Sequence, residues 1–491
     1  LCLRGGTYTG KFKSSLNGGT VRSYPGEWAV IDGNQTATVV GAINSSQSNI
    51  VLASVTGISN GKFAIDGEMM QIDHITGNTV FVNRHWDGTA AVPHADGATV
   101  KIAGNQFEVA GDNTVYRDLE VTNSDTNRND NGDANGFDTI IRGSGIVQYN
   151  NTGNSYINLI VHDNLNGFFI GSGSSNSLFY GCLSYNNGMY GDPSGHGYYL
   201  ENSAGYSRVY ESMALNNFNL GVQAYGVSGP YVGGDFQGSV FAGSGSPVGQ
   251  YHYNMIYGPD SVQSPTATVN ACHFYHAAGG PSYSISFGYG AGITTGVFTN
   301  NYIVGAGSQL MIGRLANATI TGNKFYTALS GFKQTVVLPG GTAYNWNNNS
   351  YYGTGSFGIG GNMVGFAVWK AATGYDAAGT DTASALPDTV IVRPNAYQAG
   401  RANIIIYAGS RAASINVNLS TSGLVNGQAY TIKNAYNYLG ANVATGVYNA
   451  AAPTISVPLN SSATAVATPT GQPSPPATAC PQQCALIVVP N

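Results

Sequence analysis

At 491 residues the chain exceeds a single ordinary globular core, and only a repeating architecture, whose units bury apolar faces against one another, avoids division into several domains. Charged residues make up 9% and the formal net charge is −5 with no basic stripe, so nucleic acid is not an expected partner. No run of eighteen apolar residues is present, so no membrane span is expected.

The first elements are short strands broken by turns: Gly6-Thr7-Tyr8-Thr9-Gly10, then Val21 to Glu27 with its Ser23-Tyr24-Pro25-Gly26 turn, then Trp28-Ala29-Val30-Ile31-Asp32-Gly33. Their continuation comes at Asn105-Gln106-Phe107-Glu108-Val109 and at Tyr116 to Ser124, which reads Tyr-Arg-Asp-Leu-Glu-Val-Thr-Asn-Ser. This entry resembles that of bacterial right-handed parallel β-helix proteins with the pectin-lyase-like fold. The resemblance implies an all-β solenoid over residues 1–34 and 104–352, and an extracellular or cell-surface protein. No export signal is visible, and because Leu1 lies within a strand-and-turn pattern the start is read as processed or truncated.

Residues 35–103 alternate in β fashion, as in Val80-Phe81-Val82 and Thr99-Val100-Lys101-Ile102. The stretch from Arg84 to Gly97 is similar to a small β module met in phage structural proteins, with His85 at a usual glycine position. The likeness implies a compact inserted domain and no activity. His74, His85 and His94 fit no zinc-ligand spacing.

The body repeats a strand ending in asparagine: Val161-His162-Asp163-Asn164, Leu183-Ser184-Tyr185-Asn186 and Met213-Ala214-Leu215-Asn216. These anchors lie 22 and 30 residues apart, and Asn301 and Asn323 repeat the 22-residue step. A period in the twenties with no helical pattern indicates a β-solenoid. Set in register on these anchors, Val161, Leu183, Met213, Phe298 and Ile320 form an inward row, and His162, Ser184, Ala214, Thr299 and Thr321 an outward one. In the strand after each anchor, Phe168, Tyr198 and Val222 point inward and Phe169, Tyr199 and Gln223 form an outward ladder. Phe169, Tyr199 and His162 are therefore the candidate carbohydrate-binding residues, since exposed aromatic rings suit the apolar faces of sugars.

The longer gap holds Asp192-Pro193-Ser194-Gly195-His196-Gly197. Gly-His-Gly on a β-helix resembles the polygalacturonase-like hydrolases, although their Asn-Thr-Asp, Asp-Asp and Arg-Ile-Lys motifs are missing here. Glycoside hydrolysis needs two carboxyl groups, one acid and one base or nucleophile. The candidate catalytic set is Asp163 with Asp192, assisted by His196. The competing reading is a plain turn, because Asp-Pro-Ser-Gly is strong loop chemistry. A lyase would need a cationic base, with Arg128 and Arg142 nearest, and often calcium. Asn127, Asn129, Asn131 and Asp138 imitate a calcium loop, with Asn at its first position and Asp in place of the bidentate Glu. No cofactor is required otherwise.

Residues 353–385 read as a connecting segment, and 386–460 as a C-terminal antiparallel β-sandwich similar to those appended to bacterial carbohydrate-active proteins. Residues 461–491 form a Ser/Thr/Pro-rich tail in which Cys480 and Cys484 are close enough to pair. Two functions remain open. One is an exported β-helix that engages a polysaccharide and cuts it as a hydrolase or lyase. The other is a non-catalytic structural protein, either a surface adhesin or a fibre subunit associating head to tail.

Overall fold

A computed structural model describes residues 1–58, 61–129, 142–226, 229, 231–250, 252–277, 283–305, 308–327, 332–336, 344–359, 361–480 and 482–491. The chain winds into a right-handed parallel β-helix whose coils contribute strands to three long sheets. Face I runs from Cys2–Leu3 to Asn345–Asn347 and face II from Gly6–Thr9 to Thr380–Thr382. Face III starts at Phe12–Ser14 and ends at Asn362–Val364, the latter turned antiparallel on Ser356–Ile359. The coil therefore continues past 352 into the stretch read from sequence as a connector. Within it the helix Phe366–Thr373 lays buried Trp369 and the ring of Phe366 over Phe357, covering the last coil.

The interior is a continuous apolar column. Tyr116, Tyr156 and Phe179 stack from coil to coil at 5.7 and 5.0 Å, and Phe168 stacks on Tyr198 at 5.0 Å. Each such pair adds about 0.5–1.5 kcal/mol beyond area burial.

Two corners carry the asparagines, and the sequence register merged them. Between faces II and III, Asp163, Asn186 and Asn216 take φ of 58, 55 and 49°, a left-handed geometry that Asn and Asp tolerate. The residue after each forms a buried ladder: Asn164 N–H donates to Asn187 Oδ1 at 3.0 Å, and Asn187 N–H to Asn217 Oδ1 at 3.1 Å. Asn301 and Asn323 belong instead to the corner between faces I and II, where Asn301, Asn323 and Asn349 form a second ladder at 2.9 Å per step. Strand pairing accordingly sets Ile160 beside Leu183 and Val161 beside Ser184. Val161, Phe298 and Ile320 face the coil interior as expected, whereas Leu183 and Met213 face out and Ala214 faces in, opposite to the expected rows. A one-residue slip reverses every side chain, because strand side chains alternate with period two.

The insertion is a six-stranded antiparallel sheet between Thr36–Thr38 and Thr99–Ile102 with its own apolar core. Its histidines are apart in role. His74 stacks on Phe81, His85 sits at φ 60°, and His94 is buried against Glu68 and Asp66. The positive φ explains why glycine suits the position of His85.

The C-terminal domain packs a five-stranded antiparallel sheet near a two-stranded one. The tail that composition suggested was linker-like ends in the strand Gln483–Pro490, which lies at the centre of the five-stranded sheet between Ala402–Tyr407 and Ala429–Asn434. Cys480 and Cys484 are bonded at its entry. Ala402–Tyr407 is buried throughout: Ile404 and Ile406 face the sandwich core, while Ile405 and Tyr407 pack on face II of the helix.

Candidate functional site

The expected catalytic residues do not share one open site. Asp163 is buried at the corner between faces II and III, where Arg128 Nη2 donates to its Oδ1 and His162 Nδ1 lies 2.8 Å from its Oδ2. A segment of the former tail closes over it: Thr470 N–H donates to Asp163 Oδ1 at 2.8 Å, and Arg128 Nε donates to Thr470 O at 2.8 Å. Burial opposes the charge on Asp163, but the histidine and arginine outweigh it and hold the carboxyl below its usual range. Asp163 is thus the centre of a buried clasp. Asp192 accepts the Ser194 N–H at 2.6 Å in a local turn, as its loop chemistry allows.

His162 belongs to the same clasp and not to an open sugar platform. It is 7% exposed, stacks on Tyr185 at 4.8 Å, and reaches Glu120 Oε1 through Nε2 at 3.2 Å. Burial lowers its pKa, yet the bonds to Asp163 and Glu120 prevail and raise it to about 9. The two arginines considered as lyase bases are also committed. Arg128 donates to the carbonyls of Asn186 and Gly188 at 2.9 and 2.6 Å, and Arg142 to that of Asn123 at 2.9 Å. Of the calcium-loop residues, Asn127 accepts the Asn129 N–H at 3.0 Å in a turn; Asn131 and Asp138 lie outside the described residues. Among the described residues no cluster of three or more His, Cys, Asp or Glu offers a metal site.

Face III is different. Its outward ladder places Phe169 beside Tyr199 with ring centroids 5.1 Å apart, and Tyr149, 43% exposed, meets Phe169 edge-on at 5.7 Å. His196, the centre of Gly-His-Gly, lies edge-on to Tyr199 at 5.2 Å and accepts the Leu220 N–H at Nδ1. Burial and the neighbouring His252 push its pKa down to about 3, so it stays neutral and supports Tyr199. Toward the first coils the ladder runs into a cleft of about 440 Å³ between the helix and the insertion, lined by Lys13, Glu108, Asn105 and Tyr149.

Two carboxyl groups on this face, Glu201 and Asp260, were not among the candidates drawn from the sequence. Glu201 follows Tyr199 by two residues on the same coil, and the two interact electrostatically. Burial dominates and raises the Glu201 pKa above its usual value. Across the next coils the Tyr225 hydroxyl donates to Asp260 Oδ2, and Tyr289 lies 6.2 Å from Tyr225. The Tyr225 N–H donates to Leu200 O at 2.9 Å, so Glu201 and the Tyr225–Asp260 pair lie on adjacent coils of this face. One signal was available: Glu201 and Tyr225 each follow directly on a face III strand, Tyr198–Leu200 and Val222–Ala224.

No family model matches the chain, and no curated protein matches it. Among solved structures, the tailspike of Pseudomonas phage phi297 is 12% identical, with 99% of this chain and 88% of that one covered at a TM-score of 0.34. The Dettilon tailspike is 10% identical, covering 79% and 80% at 0.34. XylC in complex with xylose is 7% identical, covering 100% and 94% at 0.31. Superposition this loose says nothing about the site, and the fold rests on the strand pairing itself. Fold and site together define an all-β class: a parallel β-helix with an inserted β module, a docked C-terminal sandwich and an aromatic face flanked by carboxyl groups.

Proposed function

We propose that this is an extracellular or cell-surface protein that engages a polysaccharide along face III and cleaves it by acid-assisted glycoside hydrolysis. The observation that supports this most directly is the position of Glu201, a carboxyl group with raised pKa beside the Tyr149–Phe169–Tyr199 ladder. The accessible rings of Tyr149 and Phe169 bind sugar rings through their apolar C–H faces, with Tyr199, 9% exposed, packed behind them. Glu201 holds its proton to higher pH than an ordinary glutamate and delivers it to the glycosidic oxygen. Asp260, positioned by Tyr225, is the second carboxylate that the reaction needs. His196 keeps Tyr199 in place, and the residues first expected to react, Asp163 and Asp192, support the loops around the face.

Glu201→Gln is expected to lower the rate of reducing-sugar release from a polysaccharide panel by about 10²–10⁴-fold while binding persists. Wild-type activity is expected to fall as pH rises through the elevated Glu201 pKa. Release unaffected by Glu201→Gln would remove the catalytic assignment, whereas binding that survives with no release from either protein would leave a polysaccharide-binding adhesin. The fibre reading has less support, because the helix Phe366–Thr373 covers the interior of the last coil, where a head-to-tail neighbour would stack.

A further inference from the structure

Where the first coils meet the C-terminal domain lies a second cleft, of about 450 Å³, on the side of the molecule held by face II. Its lining includes Arg22, Arg117, Arg401 and Lys433, together with Trp28 and Tyr438. The chain as a whole is acidic, with net charge −5, yet this cleft carries four cations against two acids, Glu27 and Asp118. Both acids are already used. Arg4 grips Glu27 through Nε at 2.8 Å and Nη2 at 2.5 Å. Asp118 pairs with Arg22 at 3.1 Å and Arg117 at 2.7 Å.

Arg401 is left without an anion. It is 5% exposed, and its guanidinium makes one long hydrogen bond, Nη1 to the Tyr438 hydroxyl at 3.5 Å, with that ring 5.9 Å away. Among the described residues no carboxylate pairs with it. A guanidinium buried without a counter-charge is costly, and the fold retains it at the wall of a cleft wide enough for a sugar ring. Lys433 contributes a second cation whose own bond, to Gly440 O, is 3.4 Å long. Trp28 is fixed at the cleft by its Nε1–H donating to Glu120 Oε2 at 2.7 Å.

We propose that this cleft is a binding site for a carboxylate-bearing sugar, separate from face III, with the carboxylate on Arg401 and Lys433 and the ring against Trp28 and Tyr438. A planar carboxylate matches the guanidinium fork, and the aromatic walls select a ring over a bare anion. The site joins the helix to the C-terminal domain, so its ligand would strengthen that junction.

The test is titration calorimetry of the full chain at low salt with glucuronic acid, glucose and inorganic phosphate. Glucuronic acid is expected to bind at least about tenfold more tightly than either of the others, with an affinity that falls as salt rises. Arg401→Gln is expected to weaken it at least about tenfold, and Glu201→Gln to leave it unchanged. Equal binding of glucose, or of phosphate, overturns the assignment, as does an unaltered affinity in a folded Arg401→Gln variant. Should that variant not fold, Lys433→Gln decides: about threefold weaker glucuronate binding supports the site, and unchanged binding overturns it. Because Glu201 lies on another face, failure here leaves the reading of face III intact, and the converse also holds.

Discussion

Faces II and III begin from the same kind of strand, three residues with a large outward side chain, and reach opposite ends. On face II the outward Ile160, Leu183, Tyr185, Met213 and Leu215 disappear beneath Ile405, Tyr407, Tyr436 and Ile487 of the C-terminal domain. Polar residues caught there, Glu120, His162, Asp163 and Arg128, satisfy one another in a buried clasp under Thr470. On face III Tyr149 is 43% exposed, and of the polar residues at its edge Asp260 accepts from the Tyr225 hydroxyl while Glu201 lies beside Tyr199. An outward aromatic ladder is therefore not in itself a binding surface. What lies over it decides whether it is core or platform.

The contrast breaks most sharply at the clasp. Arg128→Met removes one cation from buried Asp163 and is expected to cost about 3–5 kcal/mol in urea unfolding, since two buried carboxylates, Asp163 and Glu120, then share His162 alone. The corresponding change on face III, Glu201→Gln, is expected to cost activity and little stability, because burial there already disfavours the charge. A clasp variant with unaltered unfolding would show that face II is held by apolar contact alone.

The clasp should also respond to pH. His162 has a folded pKa of about 9 against 6.5 for the free side chain, so its contribution is complete below about 6.5 and is lost as pH rises through about 9. Glu120 and Asp163 are held below their ordinary values of 4.5 and 3.8, so their contribution is present above those values and is lost on further acidification. Urea midpoints are expected to form a plateau between about pH 5 and 6.5 and to fall on both sides, with His162→Gln flattening the alkaline limb.

The smallest effect sharpens the platform. Phe169→Ala is expected to weaken retention on a polysaccharide affinity gel by about 0.5–1.5 kcal/mol with little change in melting temperature. Loss of folding with no loss of retention would place Phe169 with the core residues of face II.

Much of this architecture was readable because coil period, strand alternation and turn chemistry are local. The repeat announced a solenoid, and the pair Phe168/Phe169 already assigned one ring to the interior and one to the surface. The anchors misled for a physical reason. Both corners need a left-handed residue followed by a small or amide side chain, so Asp163-Asn164 and Asn300-Asn301 look alike although they turn between different faces. The site was harder to find. Glu201 and Asp260 stand on different coils, and neither carries a motif that names its partner.

By itself the sequence determined the β-helix, the inserted module, the sandwich and the aromatic ladder of face III, since each depends on spacing between neighbours along the chain. Only the tertiary structure decided that the Ser/Thr/Pro-rich tail ends in a central strand, that it seals Asp163 and His162, and that Glu201 is half-buried beside Tyr199. Those outcomes depend on which surface the C-terminal domain covers. That choice is made by shape and apolar area gathered from 160 to 487, which no local pattern records.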